Sequence, residues 1–262
     1  MKKMFLFLVC SGRLTYLLLV TYTYICIHHI MDMEKLLQLH GYKGLCKYAA
    51  KIGRLDILKW ACERGCSMND FVSSYAAHNG HLDIVQWIHE NGFSLDKGFC
   101  VHATENGHLH ILEWAHENKL PFYEFMCAVA AKKGYLHILQ WLREHNCPWD
   151  EWTCASAAGN GHLVTLQWAR QNDCPWNERT CYYAAKNGHL QVVQWAQQNG
   201  CPCNEVTCAF AAQNGHLHVL QWARQNNCPW NTETYFEAAK SGHVHVLQWA
   251  YDNGCLCDDL NC

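Results

Sequence analysis

Cysteine and histidine are the residue types here that could do chemistry, and each occurs 18 times in 262 residues. Both fall into register. One cysteine series runs Cys46, Cys100, Cys127, Cys154, Cys181, Cys208 and Cys262, and a second runs Cys66, Cys147, Cys174, Cys201, Cys228 and Cys255. Histidine recurs at His81, His108, His162, His189, His216 and His243. Imidazoles and thiolates are zinc ligands, yet Tyr135 and Arg54 take the histidine slot elsewhere, which a shared metal role does not tolerate. His108/His110, His216/His218 and His243/His245 lie two apart, so on a helix they point to different sides. Cys201, Cys203 and Cys208 have no second Cys-x-x-Cys at zinc-ribbon spacing. No metal or other cofactor is expected. The histidine slot opens a helix beside a turn, where a polar ring can bond neighbouring backbone.

Disulfides are the other chemistry open to the cysteines. The two series lie seven residues apart, as in Cys174/Cys181. However, Cys100 faces Phe93, Cys127 faces Leu120 and Cys228 faces Tyr235 at the matching positions. One member persists where the other is lost, as small buried thiols do and obligatory pairs do not. Reduced thiols are expected, and with them a cytoplasmic, reducing compartment. No HExxH, G-x-S-x-G or phosphate-cradling loop occurs, and no Cys-His pair is singled out, so no catalysis is expected.

Both registers belong to one period. Gly53, Gly80, Gly107, Gly134, Gly161, Gly188, Gly215 and Gly242 advance by 27 residues each time. So do Trp60, Trp87, Trp114, Trp141, Trp168, Trp195, Trp222 and Trp249, giving eight units without insertion or deletion. A fixed period of this size is the signature of stacked repeats. In the unit from Glu178, Asn177 is the expected N-cap, with Asp150, Asn204 and Asn231 in the same slot. Cys181, Ala184 and Ala185 form a narrow stripe on the first helix, which Asn187-Gly188 ends. The second helix runs from about His189 to Gln198, with a broad apolar surface of Leu190, Val192, Val193, Trp195 and Ala196. The Trp series reads as core packing. Gly200 ends this helix, and all five prolines sit in the loop that follows.

The ends depart from the pattern. Residues 1–27 are an apolar N-terminal segment with three readings: a helical cap, a membrane or signal segment using 14–30, or a start-site artefact. The repeat phase places the second helix of a degenerate first unit at about His28 to His40. The expected array spans 28–262, its last repeat incomplete at Cys262. Net charge is -3 and the pI about 6.6, without the basic stripe of a nucleic-acid binder.

The core Ala-Ala-x-x-Gly-His-Leu, as in AAKNGHLQVV and AAQNGHLHVL, resembles the ankyrin repeat. The further pattern QWARQNxCPWNExTC looks like a divergent subtype found in giant DNA viruses and some protists. The resemblance implies an all-α, helix-turn-helix solenoid acting as a protein-binding scaffold without catalysis. It departs in period, 27 rather than the usual 33, so the projecting β-fingers are expected to be reduced or absent. The expected partner is an unidentified protein, with host-cell proteins among the candidates. The alternatives are a membrane-tethered scaffold using 14–30 and a metal- or redox-responsive Cys/His array.

Comparison between units separates packing slots from free ones. Two first-helix slots vary in size and charge, and they supply Tyr75, His102, Trp152, Arg179, Tyr183, Phe210, Glu233 and Glu237 as candidate partner-binding residues. Aromatics beside an arginine are enriched in binding hot spots. Trp149, Trp176 and Trp230 in the loops are expected near the same edge. The competing reading packs these aromatics between adjacent first helices.

Overall fold

The computed structural model describes residues 33–255 except 43, 67, 69, 70 and 124. The expected N-terminal segment, residues 28–32 of the degenerate first unit and the end of the incomplete last repeat lie outside these residues. The chain forms two compact units that divide between Phe99 and Cys100. Among the described residues there is no strand, and the organisation is all-α. In the first unit, residues 33–42 and 44–52 are helical, followed by Leu55–Glu63, Val72–His78 and Leu82–Glu90. Among the described residues no helix is long and apolar enough to cross a membrane.

The second unit repeats one device. First helices Phe125–Lys133, Glu151–Gly159, Glu178–Lys186, Glu205–Gln213 and Thr232–Lys240 pack side by side in order, each also against its own second helix. The second helices include Leu136–Glu144, Leu163–Gln171, Leu190–Gln198, Leu217–Gln225 and Val244–Asp252. Small side chains let the first helices approach: Cys181, Ala184 and Ala185 are fully buried, as are Cys154, Ala157 and Ala158. Three of the expected caps form, with Asp150, Asn177 and Asn231 accepting from the N–H two residues on, at 3.0, 3.1 and 3.1 Å. Asn204 makes no such bond.

Both helices of a unit end in the same bonded turn. His189 N–H donates to Ala184 O at 2.9 Å across Gly188, and Cys201 N–H donates to Ala196 O at 2.9 Å across Gly200. The two glycines differ in surroundings. A Cβ on Gly188 (φ +76) would lie 2.8 Å from His216 Nδ1 of the following unit, while one on Gly200 (φ +85) would meet nothing within 4 Å. Accordingly, Lys119, Asn146, Asp173 and Asn227 occupy the Gly200 slot at positive φ in other units.

This contact also explains the histidines. His162 Nε2–H donates to Lys132 O at 3.0 Å and His216 Nε2–H to Lys186 O at 3.0 Å, so each ring binds the backbone of the unit before it. Burial holds the pKa of His189 below its ordinary value; the Gly159 carbonyl opposes this and His162 adds to it. Burial likewise lowers His216, opposed by the Lys186 carbonyl and assisted by His218, His189 and His243. A depressed pKa means the unfolded chain binds more protons, so stability rises with pH. The contribution is present above about pH 6.5 and lost as pH falls through the depressed values. The thermal midpoint is therefore expected to drop from about pH 7.5 to about pH 5.5. Replacing His189 and His216 by Gln should flatten that slope. An equal slope in the variant would assign it to other groups.

Part of the Trp series departs from its expected place. Trp60 is buried, but Trp168, Trp195, Trp222 and Trp249 are only partly buried. The fully enclosed residues of their helices include Leu166, Val193, Val219, Leu220, Val246 and the alanines. Each of these four Trp side chains lies in an outer shell over this core, which lowers the expected cost of its loss to about 2–3 kcal/mol.

Candidate functional site

The first-helix slots of the second unit form a run of side-chain contacts. Arg179 lies over the Trp152 ring at 4.7 Å, and Trp152 meets Tyr183 at 6.0 Å. Tyr183 continues to Tyr182 at 4.7 Å and Tyr182 to Phe210 at 5.4 Å, with Lys186 Nζ 5.3 Å over the Phe210 ring. Trp152 nonetheless remains 42% exposed. These residues thus pack between neighbouring first helices and also present surface.

Clefts open along this row. One of about 270 Å³ lies between Trp152 and Tyr183, with Lys132 and Ser156 on its wall and Gly159 in its lining. A Cβ on Gly159 would come within 3.1 Å of Tyr183 Cβ. Another, of about 420 Å³, lies between Phe125 and Trp152. A third, of about 240 Å³, is walled by Val206, Phe210, Glu205, Glu233 and Glu237. Glu237 accepts from Gln213 Nε2 and lies 3.5 Å from Lys240 Nζ. The row is thus basic and aromatic at Lys132, Arg179 and Lys186, and acidic at its Glu205–Glu237 end.

His102 sits 3.7 Å from the Glu105 carboxylate on the Phe99–Glu105 helix. Tyr75 belongs to the first compact unit, where it is 40% exposed. The loop tryptophans are held elsewhere. Trp176 lies under Arg170 at 4.4 Å and edge-on to Trp195 at 5.8 Å, against buried Cys181 and Cys201. Trp149 is held by Arg143 at 4.2 Å and Trp168 at 6.0 Å, and Trp230 by Arg224 at 4.2 Å and Trp249 at 5.8 Å. The arginines also donate to loop carbonyls, as Arg224 does to Cys228 O at 3.0 Å. These are clamps between consecutive units.

Lys132, Gly159, Tyr182, Glu205 and Val206 line the row and were not among the candidates. Gly159 was legible, since it stands where neighbouring units carry Lys132, Lys186 and Gln213. The others needed the register between helices.

The cysteines do not follow the expected pairing. The early cysteine approaches the late one 20 residues on: Cys154 Sγ lies 3.9 Å from Cys174 O, and the Cys181 and Cys201 thiols share a hydrogen bond. That bond, then burial, pushes the Cys181 thiol well above its ordinary range, and burial pushes Cys208 up to about 12. Neutral thiols of this kind are poor nucleophiles. The expectation of reduced thiols fails at one pair, because Cys203 and Cys228 form a disulfide. Cys203 occupies the slot of Trp149, Trp176 and Trp230. Trp176 packs against Cys201, 25 residues on, whereas Cys203 bonds the cysteine 25 residues on directly. Among the described residues no group of three or more His, Cys, Asp or Glu is placed to hold a metal ion.

A family model for ankyrin repeats (many copies) matches residues 181–224, two helix pairs in the middle of this unit. Residues 181–224 are thus ankyrin-like repeats. No curated protein matches it. Ankyrin repeats generally mediate protein–protein interaction, and the family is typically non-catalytic.

Proposed function

We propose that this ankyrin-repeat protein is a non-catalytic scaffold that docks a partner protein along the first-helix row of its second unit. The observation that carries the reading is Trp152. It is a large aromatic left 42% exposed, flanked by Arg179 and Tyr183, and it borders two clefts. Tryptophan, tyrosine and arginine dominate binding hot spots. A complementary partner presents acidic or aromatic groups to Lys132, Trp152 and Arg179, and basic groups to Glu205, Glu233 and Glu237.

The test is affinity capture from the native cell with the triple variant Trp152→Ala, Arg179→Ala and Tyr183→Ala. Helicity should be kept and stability reduced by only about 1–2 kcal/mol, since the stack is largely at the surface. Partner capture should be lost. Undiminished capture by a folded variant would remove this face from consideration, and unfolding would show that the stack is core.

A further inference from the structure

The disulfide coincides with other departures from the repeat. Trp149, Trp176 and Trp230 each lie under an arginine six residues earlier, Arg143, Arg170 and Arg224. In the copy between Trp176 and Trp230, Cys203 takes the Trp slot and Gln197 takes the Arg slot, so this clamp is missing there. Gln197 Nε2 instead donates to Asn226 O at 2.9 Å, while its Oε1 is buried without a partner. The counterparts of Cys228 use their thiol protons: Cys174 donates to Asp150 O at 3.5 Å and Cys201 to Asn177 O at 3.3 Å. A disulfide sulfur has no proton to donate. Asn204, whose carbonyl would accept at this copy, also lacks its helix cap and holds a buried Oδ1 without a partner.

We propose that Cys203 and Cys228 form a reversible thiol–disulfide exchange site that stands in for the Arg–Trp clamp and makes this joint of the repeat redox-conditional. It ties the loop at 199–204 to the loop at 226–231, on either side of the helix pair 205–225. Cys203 is partly exposed and Cys228 is buried, so a small-molecule disulfide such as glutathione disulfide meets Cys203 first. The Cys203 thiolate attacks that disulfide and releases one glutathione thiolate. The Cys228 thiolate then attacks Cys203 Sγ and releases the second. Two protein thiols are oxidised, one glutathione disulfide is reduced to two thiols, and the two cysteine protons pass to the released thiolates. The inference does not depend on the docking reading.

The test equilibrates the folded full chain in glutathione buffers of opposite poise, traps thiols by alkylation and maps them by mass. Cys203 and Cys228 should lose labelling together in the oxidising buffer and regain it in the reducing one. Reduction should also lower the thermal midpoint by roughly 5–10 °C. Cys203→Ser should hold the reduced midpoint in both buffers. Gln197→Arg with Cys203→Trp restores the clamp and should make the midpoint independent of buffer. Equal labelling of Cys203 and Cys228 in both buffers, or a wild-type midpoint indifferent to reduction, overturns the proposal. Because the labelling and Cys203→Ser arms stand alone, failure of the double variant to fold leaves the outcome decided.

Discussion

Gly188→Ala is expected to lower stability by about 3–4 kcal/mol, and Gly200→Ala by only about 1–2 kcal/mol. Both glycines end a helix at positive φ, +76 and +85, so an alanine carries the left-handed cost at either place. Only Gly188 has the His216 ring against it, with Nδ1 2.8 Å from an added Cβ. That ring would have to move, breaking its bond to Lys186 O at 3.0 Å and loosening contact between successive units. The variants are compared by urea unfolding at about pH 7.5, above the lowered pKa values of His189 and His216. A double-mutant cycle adds a sharper check: Gly188→Ala should cost less in the background of His216→Ala. Additive costs would mean that the ring is not what excludes the side chain.

Trp176→Ala should cost about 2–3 kcal/mol and Trp152→Ala about 1 kcal/mol, although both are tryptophans beside an arginine. Trp176 seals buried Cys181 and Cys201 and meets Trp195 edge-on, so its loss opens a joint between units. Trp152 is 42% exposed, and its contacts are the side chains of Arg179 and Tyr183. Thermal unfolding of the two variants checks the ordering. The opposite order would place Trp152 in the core and Trp176 on the working surface.

These comparisons show what sequence alone could convey. The helices around Cys181 and Val193, the turns at Gly188 and Gly200, and the caps at Asp150, Asn177 and Asn231 follow from short-range chemistry and were legible. Interactions between units were less so. The partner of the Gly188 turn is His216, 28 residues on; the histidine slot pointed to a bond with backbone, but not to the preceding unit as the one that supplies it. Trp149, Trp176 and Trp230 looked like surface because the rings that meet them lie on the following second helix, as Trp195 does for Trp176. The cysteines were compared at seven residues, whereas they approach at 20 and bond at 25. Cys203 in a tryptophan slot was the available signal. Variability between units identifies Trp152 and Tyr183 in the first-helix row but not the cleft they share with Lys132 and Gly159.

The central claim is that partners engage the first-helix row and leave the second-helix surface free. Site-specific photo-crosslinking tests it most directly, with the crosslinker placed at Trp152 in one protein and at exposed Gln191, on the second helix, in another. In extracts of the native cell, the probe at 152 should yield a discrete crosslinked partner, and the probe at 191 should not. Crosslinking from 191 with none from 152 would contradict the account.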